Sequence, residues 1–236
     1  AGNLIAQTVT ISGGRDIDFI QLTNPAGVDA DTVAVYGEAA RLGNTEASFG
    51  DDRFFLSAVP AGSTLTVYGG SGADRYYISS DAAKQRFMGN GYFDDDVDAQ
   101  DRLDGTLESI AGTIVVNTGL GGNQGTRDAI FLSAAGSAAE LYGVVQQGQI
   151  TGLGMGPAGS LAFATTEGSS LVVRLGAAAD ELRIKDLDAP FVLRVHGSLG
   201  ADVLTVAGDD DRLDGISGIV AFFGEEGEDT LNVYGD

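Results

Sequence analysis

Carboxylates held beside glycines are the first chemistry this sequence offers. Aspartate outnumbers glutamate by 25 to 9, and aspartate is the carboxylate that favours turns and hard-cation sites over helices. In Gly69-Gly70-Ser71-Gly72-Ala73-Asp74 a glycine-rich turn closes on a carboxylate. Gly197-Ser198-Leu199-Gly200-Ala201-Asp202 and Gly224-Glu225-Glu226-Gly227-Glu228-Asp229 follow the same plan. Calcium takes about six to eight oxygen ligands, and glycine lets backbone carbonyls approach an ion, so Asp74, Asp202 and Asp229 are candidate calcium ligands. The competing role for each is a turn aspartate that bonds its own backbone. That role weighs equally at the more degenerate turns of Asp18, Asp52 and Asp180.

Each of these aspartates opens a short apolar alternation. The rule is Asp, any residue, apolar, any residue, apolar. It holds at Asp18 with Ile20 and Leu22, Asp52 with Phe54 and Leu56, Asp74 with Tyr76 and Ile78, and Asp128 with Ile130 and Leu132. Asp180 with Leu182 and Ile184, Asp202 with Leu204 and Val206, and Asp229 with Leu231 and Val233 obey it too. In four cases an apolar residue also stands seven positions upstream: Ile11, Val67, Val195 and Phe222. This is strand, tight turn, strand. An isolated unit of this kind cannot bury its apolar face, whereas stacked units share a continuous core. The pattern therefore predicts an all-β parallel β-helix or β-solenoid with irregular loop insertions, one domain over 1–236, in which the aspartates line up as one column. Loop-rich insertions are expected at 79–112 and 134–170. Tyr36, Tyr68 and Tyr234, each just before a turn glycine, are expected to line up as well. A sandwich has no reason to repeat one motif seven times.

Asp-Arg-Leu-Asp-Gly occurs twice, at 101–105 and 211–215, each time ahead of an apolar strand. Upstream of the first copy, Asp94, Asp96 and Asp98 have the alternating spacing of an EF-hand loop, but Ala99 stands where its glycine belongs and Gly105 where its terminal glutamate belongs. The run is either a non-standard loop site or a plain solvated acidic loop.

Composition narrows the partners. A formal charge of -21 is repelled by phosphate backbones, which argues against nucleic acid, and it repels itself unless cations neutralise it. With no cysteine there is neither a disulfide nor a thiolate metal site. No apolar run is long enough for a membrane-spanning helix. Glycine at 36 residues with four prolines points to many tight turns, not to collagen or a disordered linker. The start, Ala1-Gly2-Asn3, shows no leader, so any signal peptide is expected to have been removed or never included.

The glycine-aspartate turns resemble the calcium-binding nonapeptide of the RTX family of secreted bacterial proteins, best at 69–74 and less completely at 197–202 and 224–229. The resemblance implies calcium held between stacked turns by the carboxylates of Asp74, Asp202 and Asp229 and by carbonyls of turn glycines, here Gly70, Gly72, Gly200 and Gly227. It also implies an extracellular or cell-surface location. In that family the nonapeptides run in tandem, whereas here they recur at intervals of 22 to 54 residues.

Parallel β-helices include lyases acting on acidic polysaccharides, so an enzyme is one alternative. His196 is the single histidine and falls in the column of Ser12, Tyr68 and Phe223, which makes it a corner residue. A motif present twice, such as Asp-Arg-Leu-Asp-Gly, is more simply a structural turn than a catalytic centre. The leading expectation is a non-catalytic, calcium-stabilised scaffold of a bacterial surface, adhesin or matrix protein, with calcium and neighbouring repeats as partners. The sequence stops at Leu231-Asn232-Val233-Tyr234-Gly235-Asp236, part-way through a unit. The alternatives are a longer covalent array, a filament of identical subunits joined head to tail, or a polysaccharide-binding or polysaccharide-lyase-type β-helix.

Overall fold

A computed structural model describes residues 4–5, 8–12, 18–22, 28–29, 32–36, 50–70, 72–89, 92–93, 102–118, 128–163, 169–208 and 211–235. Asp94, Asp96 and Asp98 lie outside the described residues. Among those described there is no α-helix; 3₁₀ geometry is found at Lys84–Phe87 and at Arg102. Nor is any helix long and apolar enough to cross a membrane.

The chain passes back and forth between two sheets. After the two-residue β1 (Leu4–Ile5), β2 (Thr8–Ser12) lies in a wide sheet and β3 (Phe19–Leu22) in a narrow one. β4 (Val28–Asp29) pairs with β1 at the edge, and the alternation resumes. β5 (Thr32–Tyr36) and β7 (Thr64–Tyr68) are wide, while β6 (Arg53–Leu56) and β8 (Arg75–Ile78) are narrow. A small hairpin of β9 (Met88–Gly89) and β10 (Tyr92–Phe93) interrupts. Then β11 (Thr113–Asn117) joins the wide sheet and β12 (Ala129–Ser133) the narrow one. Next β13 (Tyr142–Gln146), β14 (Gln149–Gly152) and β15 (Ser160–Phe163) enter the wide sheet together. Alternation then continues to the end: β16 (Ser170–Arg174), β18 (Val192–His196) and β20 (Ile219–Phe223) are narrow, and β17 (Glu181–Ile184), β19 (Val203–Val206) and β21 (Thr230–Val233) are wide.

The narrow sheet has seven strands, all parallel; the wide sheet has ten and is mixed. Its antiparallel pairs are confined to β13–β14 and β14–β15. Register is kept rung after rung: Val33, Leu65 and Ile114 align, as do Val35, Val67 and Val116. Alternate residues of both sheets point inward, so Phe54, Leu65, Tyr76, Ile114, Ile130 and Leu182 share one core. Stacked rings run along the narrow sheet, Phe54 on Tyr76 at 5.0 Å within the core and Phe55, Tyr77 and Phe131 at 5.1 and 5.2 Å on the opposite face. That second face is covered by Ala82, Phe87 and Leu103 from the excursion after β8.

The stretch 134–170, expected as loop, contains three strands instead. Val144-Val145 and Leu161-Ala162-Phe163 supply the apolar alternation. Gln147 and Gly148, at φ of 51° and 66°, make the two-residue hairpin turn that joins β13 to β14. The meander also changes the phase of the winding. Asp18, Asp52, Asp74 and Asp128 stand before strands of the narrow sheet, whereas Asp180, Asp202 and Asp229 stand before strands of the wide sheet. The single aspartate column expected from the sequence is therefore two.

Two stretches of the chain repeat one order of elements. β6, β7, β8, β11 and β12 correspond in order to β17, β18, β19, β20 and β21, with Asp52, Asp74 and Asp128 matching Asp180, Asp202 and Asp229. The two Asp-Arg-Leu-Asp-Gly copies match too, and so do the bridges Val59 to Ile110 and Leu187 to Ile216. The second copy has its sheets exchanged.

Candidate functional site

Each aspartate column is a hydrogen-bond ladder. The Asp18 amide donates to the Asp52 carboxylate at 2.8 Å, the Asp52 amide to Asp74 at 2.8 Å, and the Asp74 amide to Asp128 at 2.9 Å. In the second column Leu141 donates to Asp180 at 2.7 Å, Asp180 to Asp202 at 2.8 Å and Asp202 to Asp229 at 2.9 Å. A carboxylate from one rung thus satisfies an amide that would otherwise be stranded where the chain turns from sheet to sheet. This bonding runs between rungs. The turn aspartate expected to bond its own backbone is seen at Asp180, which also accepts from Gly176 at 2.6 Å.

The glycines belong to the same device. Gly70, Gly72, Gly200 and Gly227 have φ of 96°, 141°, 117° and 143°, the left-handed side that favours glycine. A methyl on Gly72 would run into the Gly50 carbonyl, on Gly200 into Ala178, and on Gly227 into Gly200. Gly69, Gly197 and Gly224 lie flat against the second carboxylate oxygen of Asp74, Asp202 and Asp229. Close approach of rungs, not only carbonyl access, explains why these positions are glycine.

Burial works against the charge. It raises Asp74 to a pKa of about 7 against the relief of the Asp52 amide, and raises Asp128 and Asp202 to about 6 each. Asp180 is raised by the same cause. The second oxygens of Asp74 and Asp202 are buried and accept no hydrogen bond.

In the first column a positive charge comes from within the chain. Arg53, itself buried, donates to the carbonyls of Asp51 at 2.6 Å, Asp52 at 3.0 Å and Ala73 at 3.1 Å. Its guanidinium thereby binds corner carbonyls of two successive rungs. Arg75 pairs in register with it, and the attraction of Arg75 lowers the Asp128 pKa in part. Sequence reading missed this role, although the signal is there in the Asp-Arg dipeptides at 52–53 and 74–75. The second column has Glu181, Val203 and Thr230 at the corresponding places.

The candidate calcium ligands are therefore brought into two stacks, with Asp74 in one and Asp202 and Asp229 in the other. Among the described residues no group of three or more His, Asp or Glu side chains is placed to hold a metal ion. If calcium were bound, these carboxylates would supply only part of its shell, and corner carbonyls would have to complete it. His196 does not share the column of Ser12 and Tyr68. It pairs between Arg174 and Phe223 in the narrow sheet, stacks on Phe223 at 4.7 Å and meets Glu225 at 2.7 Å. Tyr36 and Tyr68 do stack, at 4.6 Å, but in the wide sheet's register the next residue after Tyr68 is Asn117. Tyr234 follows β21 and bonds to Val206, away from them.

The described parts of the two Asp-Arg-Leu-Asp-Gly copies, 102–105 and 211–215, lie outside the strands. In the first, Leu103 is buried, Ser133 donates to its carbonyl at 2.6 Å, and Asp104 pairs with Arg86 at 3.3 Å. In the second, Arg212 pairs with Asp214 at 3.0 Å. Comparison of the chain with family models, characterised proteins and solved structures gave no match.

Proposed function

We propose that the chain is a non-catalytic parallel β-solenoid serving as a structural element of an extracellular bacterial surface or matrix protein, its coils locked by two aspartate ladders. One observation carries this reading. The same amide-to-carboxylate bond is repeated from rung to rung through each column, so the most distinctive residues of the sequence are spent on joining coil to coil. Alternation between two sheets on either side of the β13–β15 meander, with in-register parallel pairing, supports the winding, and the likeness of the corners to RTX turns supports the location.

Calcium is a second reading, confined to the second column. The uncommitted Asp202 oxygen and the lack of an arginine at 181, 203 and 230 leave room there for an external cation, whereas Arg53 serves the first column. The test is thermal unfolding followed by circular dichroism at pH 5 and pH 8, with chelator, calcium or magnesium. Stability that depends on pH and ignores both metals supports ladders that need no ion. A calcium-specific rise in Tm at pH 8 that Asp202→Asn abolishes and Asp74→Asn leaves intact supports the ion-bound second column. A chain that unfolds in separate pieces with no response to substitution in either ladder would overturn the scaffold reading.

A further inference from the structure

The outward face of the wide sheet is uncharged along five neighbouring strands. β5, β7, β11, β15 and β14 adjoin in that order, and their inward residues, such as Val35, Val67, Val116, Leu161 and Ile150, fill the core. The residues between face out, and register sets them in rows across the sheet. One row is hydroxyl throughout: Thr32, Thr64, Thr113, Ser160 and Thr151. The row beside it is small, with Ala34, Thr66, Val115 and Ala162. The third row begins with the stacked rings of Tyr36 and Tyr68 and continues at Asn117. At the usual strand spacing the five strands extend about 19 Å.

These rows make a shallow trough that runs across the strands. Its floor is the small row, with tyrosines along one side and hydroxyls along the other. Tyr68 and Thr151 are exposed and Thr64, Thr66 and Thr113 half-buried, while Ser160 donates to the Thr113 hydroxyl at 3.2 Å. We propose that this trough binds an uncharged, extended polysaccharide of β-linked pyranoses, its chain lying across the strands. The site needs the wide sheet alone and goes beyond the scaffold reading.

Chemistry narrows the partner to this class. A polymer of phosphates or carboxylates needs cations to hold it, and no Lys, Arg or His stands in these rows. It would also meet the charge of -21. A protein or lipid surface needs a broad apolar patch, whereas the apolar groups here form one narrow row. Hydroxyls and an amide both donate and accept hydrogen bonds, which suits a partner whose own rim is hydroxyl. The C–H faces of the sugar rings would lie on Ala34, Val115 and Ala162. The rows are straight, and β-linked pyranoses form an extended ribbon where α-linked ones coil. Strand preference does not account for the neutrality. Thr, Tyr and Val are good strand formers, yet β17, beyond the meander in the same sheet, sets Glu181 and Arg183 outward.

Isothermal titration of the whole chain with cellohexaose, β-linked mannohexaose and chitohexaose makes the test. At least one should bind saturably. T66R sets a long charged side chain on the floor and should weaken that binding at least tenfold while keeping the circular dichroism of the parent. Should T66R misfold, A34R makes the same change on the neighbouring strand. E181R, outward in the same sheet beyond the meander, should leave binding unchanged. Maltohexaose, which coils, and a β-linked mannuronate hexamer, which is charged, should bind at least tenfold more weakly. No binding of the three neutral hexamers at millimolar concentration would overturn the proposal, and binding that survives both floor variants would overturn the trough. Equal binding of maltohexaose would overturn the extended chain, and preference for the mannuronate would overturn the uncharged partner. None of these outcomes alters the melts that test the scaffold reading.

Discussion

Asp74 accepts an amide hydrogen bond and is fully buried, and these pull its proton affinity in opposite directions. Burial wins, leaving a pKa of about 7. Unfolded aspartate titrates near 3.9, so between about pH 4 and pH 7 the folded chain holds more protons than the unfolded one. Stability from this group is fully present below that window and lost as pH rises through it. Asp128 and Asp202, at about 6, act in the same sense over a narrower range. In the absence of added metal, Tm should therefore fall from pH 5 to pH 8, opposite to ordinary acid denaturation. Asp74→Asn keeps an acceptor for the Asp52 amide without the charge, so it should flatten that slope and raise Tm at pH 8. Asp74→Ala strands the amide and should cost about 1–3 kcal/mol at pH 5, and less at pH 8, where it also removes the buried charge. Melts of the three proteins at both pH values check this, and an Asn variant with the parent's slope would show that the carboxylate does not titrate as buried. The glycines give a sharper contrast. Gly62→Ala, at φ 80° with open space around it, should cost about 1 kcal/mol from backbone strain alone. Gly72→Ala adds overlap with the Gly50 carbonyl and should cost at least twice as much by denaturant titration. These aspartates and glycines were plain in the sequence because their spacing repeats. That their bonds run between rungs was hidden, since the donor of each stands 22 to 54 residues from its acceptor in the first column.

Strands with one buried face announce themselves by alternation, as β7 does with Leu65 and Val67 inside. β6, β8 and β12 are covered on both faces near their middle, because the excursion after β8 lays Phe87 and Leu103 over Phe55, Tyr77 and Phe131. Nothing in the sequence of 79–112 shows that it returns to cover a sheet, and its apolar residues are too scattered to display a period. The meander escaped notice for a related reason: with Gly143 and Gly152 in its strands, its pattern is diluted, although the Gln147-Gly148 turn was readable. Tyr77 is the centre of the outer cluster, 4.3 Å from Phe87 and flanked by Phe55 and Phe131. Tyr77→Ala should destabilise the chain by about 3–5 kcal/mol and also detach the excursion. Proteolysis within 79–105 should then outpace cleavage elsewhere. Equal loss of protection along the whole chain would mean that the excursion is held by other contacts, such as Arg86 to Asp81 at 2.7 Å.

At the scale of the whole molecule, each strand is held mainly by the strands on either side of it in its sheet, so stability should grade from the middle of each sheet toward its edges. The last strand makes the gradient measurable. Thr230 and Tyr234 donate their amides to Asp202 and Val206 in β19, and in a parallel ladder alternate amides face opposite ways. The amides of Leu231 and Val233 therefore point to the open edge. In dilute monomer, hydrogen exchange at Leu231 and Val233 should approach the rate of an unfolded peptide, while Thr230 is slower and Ile114, Ile130 and Leu171 in the buried middle are slowest. The slowest sites should follow global unfolding, because one core runs through both internal copies and the meander between them. If those two amides were protected as strongly as the middle of the sheet, β21 would be covered on its far side and the gradient would not exist.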